Sequence, residues 1–90
     1  MPMMLQFDGP VSDHDFHEAV AEASGIVWYG RNLNALDELL TQLVDPPITI
    51  EWKRVSAARE SMGQRFDQIL EVLRYAQQEL GPAQFSLNLQ

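Results

Sequence analysis

The sequence predicts a small two-layer α/β fold: a three-stranded parallel sheet in the order 1-2-3, with about four helices packed mainly on one face. Three observations carry this. First, three short segments alternate apolar and polar residues, which marks strands with one buried face: Met3, Leu5 and Phe7; Ile48, Ile50 and Trp52; Phe85, Leu87 and Leu89. Second, segments of helical spacing separate them, and strands joined through helices run parallel. Third, such crossovers are right-handed in nearly all proteins. Two of them over one face move the chain the same way each time, which gives 1-2-3.

Each element has a local cause. Ser12 with Asp15 three residues on makes a capping-box-like helix start, supported by the early acids Asp13 and Glu18. Phe16, Val20 and Ala23 mark the buried stripe of that helix, and Gly25 ends it. A second helix is expected over about 32–44, with Leu33, Leu36, Leu39, Leu40 and Leu43 on one face. Asp45-Pro46-Pro47 stops it, because proline cannot continue a helix and pushes its predecessor to extended geometry. In the second strand Trp52 shares the core face, which leaves Glu51 on the wet face. A short helix near 54–61 and a longer one near 64–80 follow, separated by Gly63. Phe66, Ile69, Leu70, Leu73 and Ala76 point inward on the longer helix, and Gly81-Pro82 ends it.

Size and charge narrow the function. Ninety residues make one domain, spanning 1–90. There is no cysteine, so disulfides and thiolate metal sites are excluded. The opening MPMMLQFDG has no basic n-region, and no stretch approaches the ~20 apolar residues of a membrane helix. A soluble cytoplasmic protein that engages no membrane is the expectation. Thirteen acids against six bases give a net charge of −7. A phosphate backbone would be repelled, so direct nucleic-acid binding is disfavoured and a basic protein partner is favoured.

The stretch IVWYGRNLNALDE, residues 26–38, is the candidate site. Trp28, Tyr29 and Arg31 precede a helix whose outer positions are Asn34, Asp37, Glu38, Thr41 and Gln42. Asn34, Asp37, Glu38 and Thr41 follow i, i+3, i+4, i+7 and so share one stripe. Periodicity alone leaves two readings: a row of acceptors beside an aromatic platform, or a solvated helix face with the aromatics folded into the core. Tyr29 alone could pack inward while Trp28 reaches out. Asn32 is well suited to cap the helix.

The segment WYGRNLNALDELLTQLVDPP, followed by ITIEW, resembles the barstar family of ribonuclease inhibitors. The matching residues are Tyr29, Gly30, Asn32, Leu33, Ala35 and Leu36, then Pro47, Glu51 and Trp52, and the layout agrees over essentially the whole chain. The resemblance implies a small parallel sheet with helices, and a protein that is no enzyme and needs no cofactor or metal. It implies inhibition by plugging: the second helix and the preceding loop enter the basic cleft of a small secreted ribonuclease or ribonuclease-type toxin. There, carboxylates replace RNA phosphate. The barnase–barstar pair is the standard case of such steering and of coupled interface charges, so these ideas are borrowed from it.

Carried over position by position, Trp28 and Tyr29 stand where the family has its aromatic pair, and Gly30 where a tight turn presents them. Asn34 stands where the archetype has an aspartate, and Asp37 where it has a tryptophan. Glu38 replaces the central aspartate and reaches one methylene further. Thr41 matches, and Tyr75 on the last helix replaces a peripheral glutamate. With Arg31 and Gln42 these make the expected contact set of a monomeric inhibitor.

Two other classes compete. His14 and His17, at i, i+3 with Asp13 and Glu18 nearby, could hold a divalent metal, against the plainer reading of a solvated helix face. An acidic interaction module on the same scaffold could bind a basic partner that is not a nuclease.

Overall fold

The computed structural model describes residues 2–90. The elements are β1 (Met3–Asp8), α1 (Asp13–Ser24), α2 (Leu33–Glu38), β2 (Ile48–Lys53), α3 (Val55–Met62), α4 (Gln64–Leu80) and β3 (Phe85–Leu89). The strands are parallel and lie in the order β1-β2-β3, as the crossover argument predicts. Register aligns the apolar positions in three rows across the sheet: Met3–Ile48–Phe85, Leu5–Ile50–Leu87 and Phe7–Trp52–Leu89. The helices cover that face. On the other, Met4, Gln6 and Asp8 are exposed, and Thr49 and Glu51 are half-buried.

The core centres on Trp52. Its ring lies 4.7 Å from Phe7, 6.0 Å from Phe16 and 5.0 Å from Phe66 between centroids. Its Nε1–H donates to Gly9 O at 2.9 Å, so the buried indole has its polar handle satisfied. The same core takes in Leu36 of α2, Leu39 and Leu40 just after it, and Ile69 and Leu73 of α4.

The caps follow the sequence. Ser12 Oγ accepts from Asp15 N at 3.0 Å, and Gly25 closes α1 in the left-handed region at φ 73°. Asn32 Oδ1 accepts from Ala35 N at 2.8 Å and caps α2. Asn32→Ala is expected to lower stability by about 1 kcal/mol, the usual cost of losing such a cap. A shift of the urea midpoint at constant slope measures it.

One helix departs from expectation. After Glu38 the chain continues as a π-helical turn, Leu39–Leu43, closed by Val44 N–H donating to Leu39 O at 3.0 Å. The wider i→i+5 turn rotates the last residues out of phase with the leucine stripe. Leu43, expected in the core, is therefore 38% exposed.

Candidate protein-binding site

The segment joining α1 to α2 is built around one inward side chain. Tyr29 is 3% exposed, whereas Val27 is 83% and Trp28 67% exposed. Of the aromatic pair only Trp28 reaches solvent, and Tyr29 leaves the set of surface contacts. The reason is a buried partner. The Tyr29 hydroxyl lies 2.6 Å from His17 Nδ1, which satisfies the phenol inside the core. Burial pushes the Tyr29 pKa up, so the phenol keeps its proton.

His17 is correspondingly no part of a solvated face. The buried stripe of α1 comprises Phe16, His17, Val20 and Ala21, wider than the three residues read from periodicity. His14 is exposed, so the two imidazoles meet different surroundings.

Gly30 has a different role from the one expected. The left-handed residue of this turn is Arg31, at φ 56°. A Cβ on Gly30 would lie 3.2 Å from Ala35 Cβ and 3.4 Å from Asn32 Nδ2, so glycine lets the loop press against the first turn of α2. Two charge-assisted hydrogen bonds hold the Arg31 conformation: Nη1 donates to Tyr29 O at 2.8 Å, and Nε to Glu18 Oε1 at 2.5 Å. Arg31 is exposed, but its guanidinium is committed within the chain.

On the outer side of α2 and its π turn, Asn34, Glu38 and Gln42 are exposed, and Asp37 and Thr41 are half-buried. Thr41 Oγ1 donates to Asp37 O at 2.7 Å, so towards a partner this hydroxyl can only accept. Asp37 Oδ1 is sealed from water and accepts no hydrogen bond. Asn34 and Asp37 come together with Tyr75 of α4 in an open groove of about 750 Å³. Trp28, Arg31, Glu38, Thr41 and Gln42 lie outside it. Asp67, Glu71 and Arg74 line the same groove and were not anticipated. Their signal was present: 67, 71, 74 and 78 recur along one outer stripe of α4.

Ion pairing makes the charge uneven. Arg31 pairs with Glu18, Lys53 with Glu51, Arg54 with Asp8, Arg59 with Asp67 and Arg65 with Asp13. These use five of the six basic side chains, leaving Arg74 on the groove wall. Asp37, Glu38 and Glu71 have no cation from the described residues within ion-pair distance, so the α2–α4 side carries unneutralised negative charge. The exposed Tyr75 phenol is held above its usual pKa by a hydrogen bond with Glu79, by the Glu79 charge and by Asp37.

The buried histidine predicts a pH dependence. Burial holds the His17 pKa below its usual value, and Arg65 and Arg31 oppose its charging, against the pull of Asp13. The folded state therefore binds fewer protons than the unfolded chain below about pH 6.5. Stability is full above that pH and falls as acid carries the solution down through the folded pKa of His17. Asp13, lowered chiefly by its hydrogen bond from Arg65, adds a separate loss below the usual aspartate value of 3.8. Urea midpoints should decline from neutral pH to pH 5, and His17→Gln should flatten that decline.

Comparison with known proteins identifies the family. The profile of the family described as "Barstar (barnase inhibitor)" matches residues 1–90. The protein named "Putative ribonuclease inhibitor YrdF" from Bacillus subtilis (strain 168) is 43% identical over 53 residues. That match covers 59% of this chain and 58% of the relative's length. Among the described residues, no helix is long and apolar enough to cross a membrane. With the sheet order, the capped second helix and a profile match from end to end, the chain belongs to the barstar family.

Proposed function

We propose that this protein inhibits a small basic ribonuclease by seating the outer face of α2, with the Trp28 loop, in the nuclease's RNA-binding cleft. It acts as a monomeric, cytoplasmic antitoxin, without enzymatic activity of its own. The observation that carries this reading is the exposed Glu38 carboxylate, which has no ion pair among the described residues although five of the six bases are paired to other acids. A carboxylate left to water is available to arginines and a histidine that would otherwise hold RNA phosphate. Trp28 supports the reading as an apolar anchor that a partner would desolvate. Asn34, Asp37 and Tyr75 shape the neighbouring groove and set which nuclease fits.

Barnase is the probe for the test. RNA cleavage by barnase should fall in proportion to added protein until the two are equimolar. Binding that leaves cleavage untouched would favour a module for a basic partner that is not a nuclease. Electrostatic attraction predicts that the association rate constant falls as salt rises, by roughly tenfold or more between about 50 and 500 mM. A salt-insensitive rate in stopped-flow would point to an apolar interface instead.

A further inference from the structure

We propose that the free edge of β3 pairs with the same edge of a second copy of this chain, in a reversible two-fold contact that joins the two sheets. This goes beyond the inhibitor reading and does not rest on it. No residue assigned to the nuclease face lies in β3, and the inhibiting unit remains the single chain. Gln84 O accepts from Ile48 N–H at 2.8 Å, and Gln90 N–H donates to Trp52 O at 2.9 Å. With the parallel register from Ile48–Phe85 to Trp52–Leu89, the main-chain groups of Ser86 and Asn88 turn towards β2. Those of Phe85, Leu87 and Leu89 therefore point away from the sheet. The Phe85 N–H is taken by Gly81 O at 2.9 Å. The Phe85 carbonyl, and the N–H and carbonyl of Leu87 and Leu89, have no hydrogen-bond partner among the described residues. The side chains are incompletely covered too. Leu87 shares a row with Leu5 and Ile50, and Leu89 with Phe7 and Trp52. Those four are buried, whereas Leu87 and Leu89 are only half-buried.

Charge and register select the second copy as the occupant. Edge strands are commonly blunted by charge or proline. β1 carries Asp8, but β3 carries neither, and every acid and base of the chain lies at or before Glu79. This edge is thus where two chains of net charge −7 can meet without opposing like charges. It also complements itself. Run antiparallel about Leu87, the two strands exchange both bonds of a Leu87–Leu87 pair, and each Leu89 N–H donates to the Phe85 carbonyl of the other copy. The occupied Phe85 N–H is not needed. On the helix side Leu87 meets Leu87 and Leu89 meets Phe85, which covers the half-buried leucines. On the open side Ser86 meets Asn88. A five-residue edge is a small contact beside a stable interface, so the dissociation constant is on the order of 0.1 mM.

Sedimentation equilibrium and ¹⁵N spectra of the wild type from about 20 μM to about 1 mM test the pairing. The average mass should rise towards that of two chains. The Leu87 and Leu89 amides should shift and gain protection from exchange, while those of β1 and α2 stay fixed. A mixture of ¹³C-labelled and unlabelled protein should show an NOE between Ser86 Hα and Asn88 Hα of different copies, the mark of this register. Raising salt from about 20 to about 300 mM should tighten the pair roughly threefold, because screening relieves the repulsion of two acidic chains. Leu87→Lys, which sets two charges directly opposite, should keep the protein single at about 1 mM, whereas Gln6→Lys on the β1 edge should leave pairing unchanged. A single-chain mass for wild type at about 1 mM overturns the proposal, whatever the variants do. Self-association whose shifts lie in α2 or β1, or which a folded Leu87→Lys retains, overturns it as well. So does a barnase footprint on the β3 edge without self-association, which would give that edge to the nuclease. Failure of wild type to inhibit barnase would count against the inhibitor reading alone, because the pairing needs no nuclease.

Discussion

Replacing Glu38 with alanine is expected to weaken binding to a barnase-type ribonuclease by about 3 kcal/mol, roughly a hundredfold, with little change in fold stability. The asymmetry follows from placement. The Glu38 side chain is exposed and bonded to nothing among the described residues, so the free protein loses almost nothing when it is cut back. In the complex its removal would leave cations in the cleft desolvated without a counter-charge, which is why the expected loss is large. Calorimetric binding constants beside urea midpoints separate the two effects. A large drop in midpoint with unchanged affinity would mean that the outer side of α2 is not where the partner sits.

Leu36→Ala is the mirror experiment on the inner side of the same helix. Leu36 is fully buried among the core residues. Removing three heavy atoms there leaves a cavity, and the expected cost is roughly 2–5 kcal/mol. That is a large share of the ~5–15 kcal/mol that holds a domain of this size together. The variant should therefore unfold at distinctly lower urea. Where it remains folded it should bind barnase with near-normal affinity, because α2 still presents Glu38. Together the two substitutions orient the helix by function: outward residues move affinity, inward ones move stability.

Much of this architecture was legible because the sheet has one wet face. A strand with one buried side writes its orientation into the sequence at period two, so Met3–Leu5–Phe7 and Ile48–Ile50–Trp52 could be placed before any coordinate. Handedness then fixed the order. The helix starts were legible too, since Ser12 and Asn32 cap through their own side chains. What escaped depends on contacts distant in sequence. A loop has no period, so nothing local said that Tyr29 turns in and Trp28 out; the deciding partner, His17, lies on another element. His17 itself read as surface because polarity suggests water, until a hydroxyl supplies its hydrogen bond inside the core. The π turn at Leu39–Leu43 has no residue signature, and it moved Leu43 out of the core. The groove between α2 and α4 needed both helices placed, although the outer stripe of α4 was readable by itself. The barstar resemblance offered the α2 face as a candidate. It could not say which of its aromatic and glycine positions serve the scaffold in this chain.

The most direct measurement is the footprint of barnase on the ¹⁵N-labelled protein at neutral pH. Amide shifts and slowed exchange are expected to concentrate at Trp28, Gly30, Asn34, Glu38 and Gln42, with Tyr75 at the margin. The open face of the sheet, at Gln6, Glu51 and Asn88, should stay as it is in the free protein. A footprint on that sheet face, with the α2 residues untouched, would contradict the claim that this helix takes the place of RNA in the nuclease's cleft.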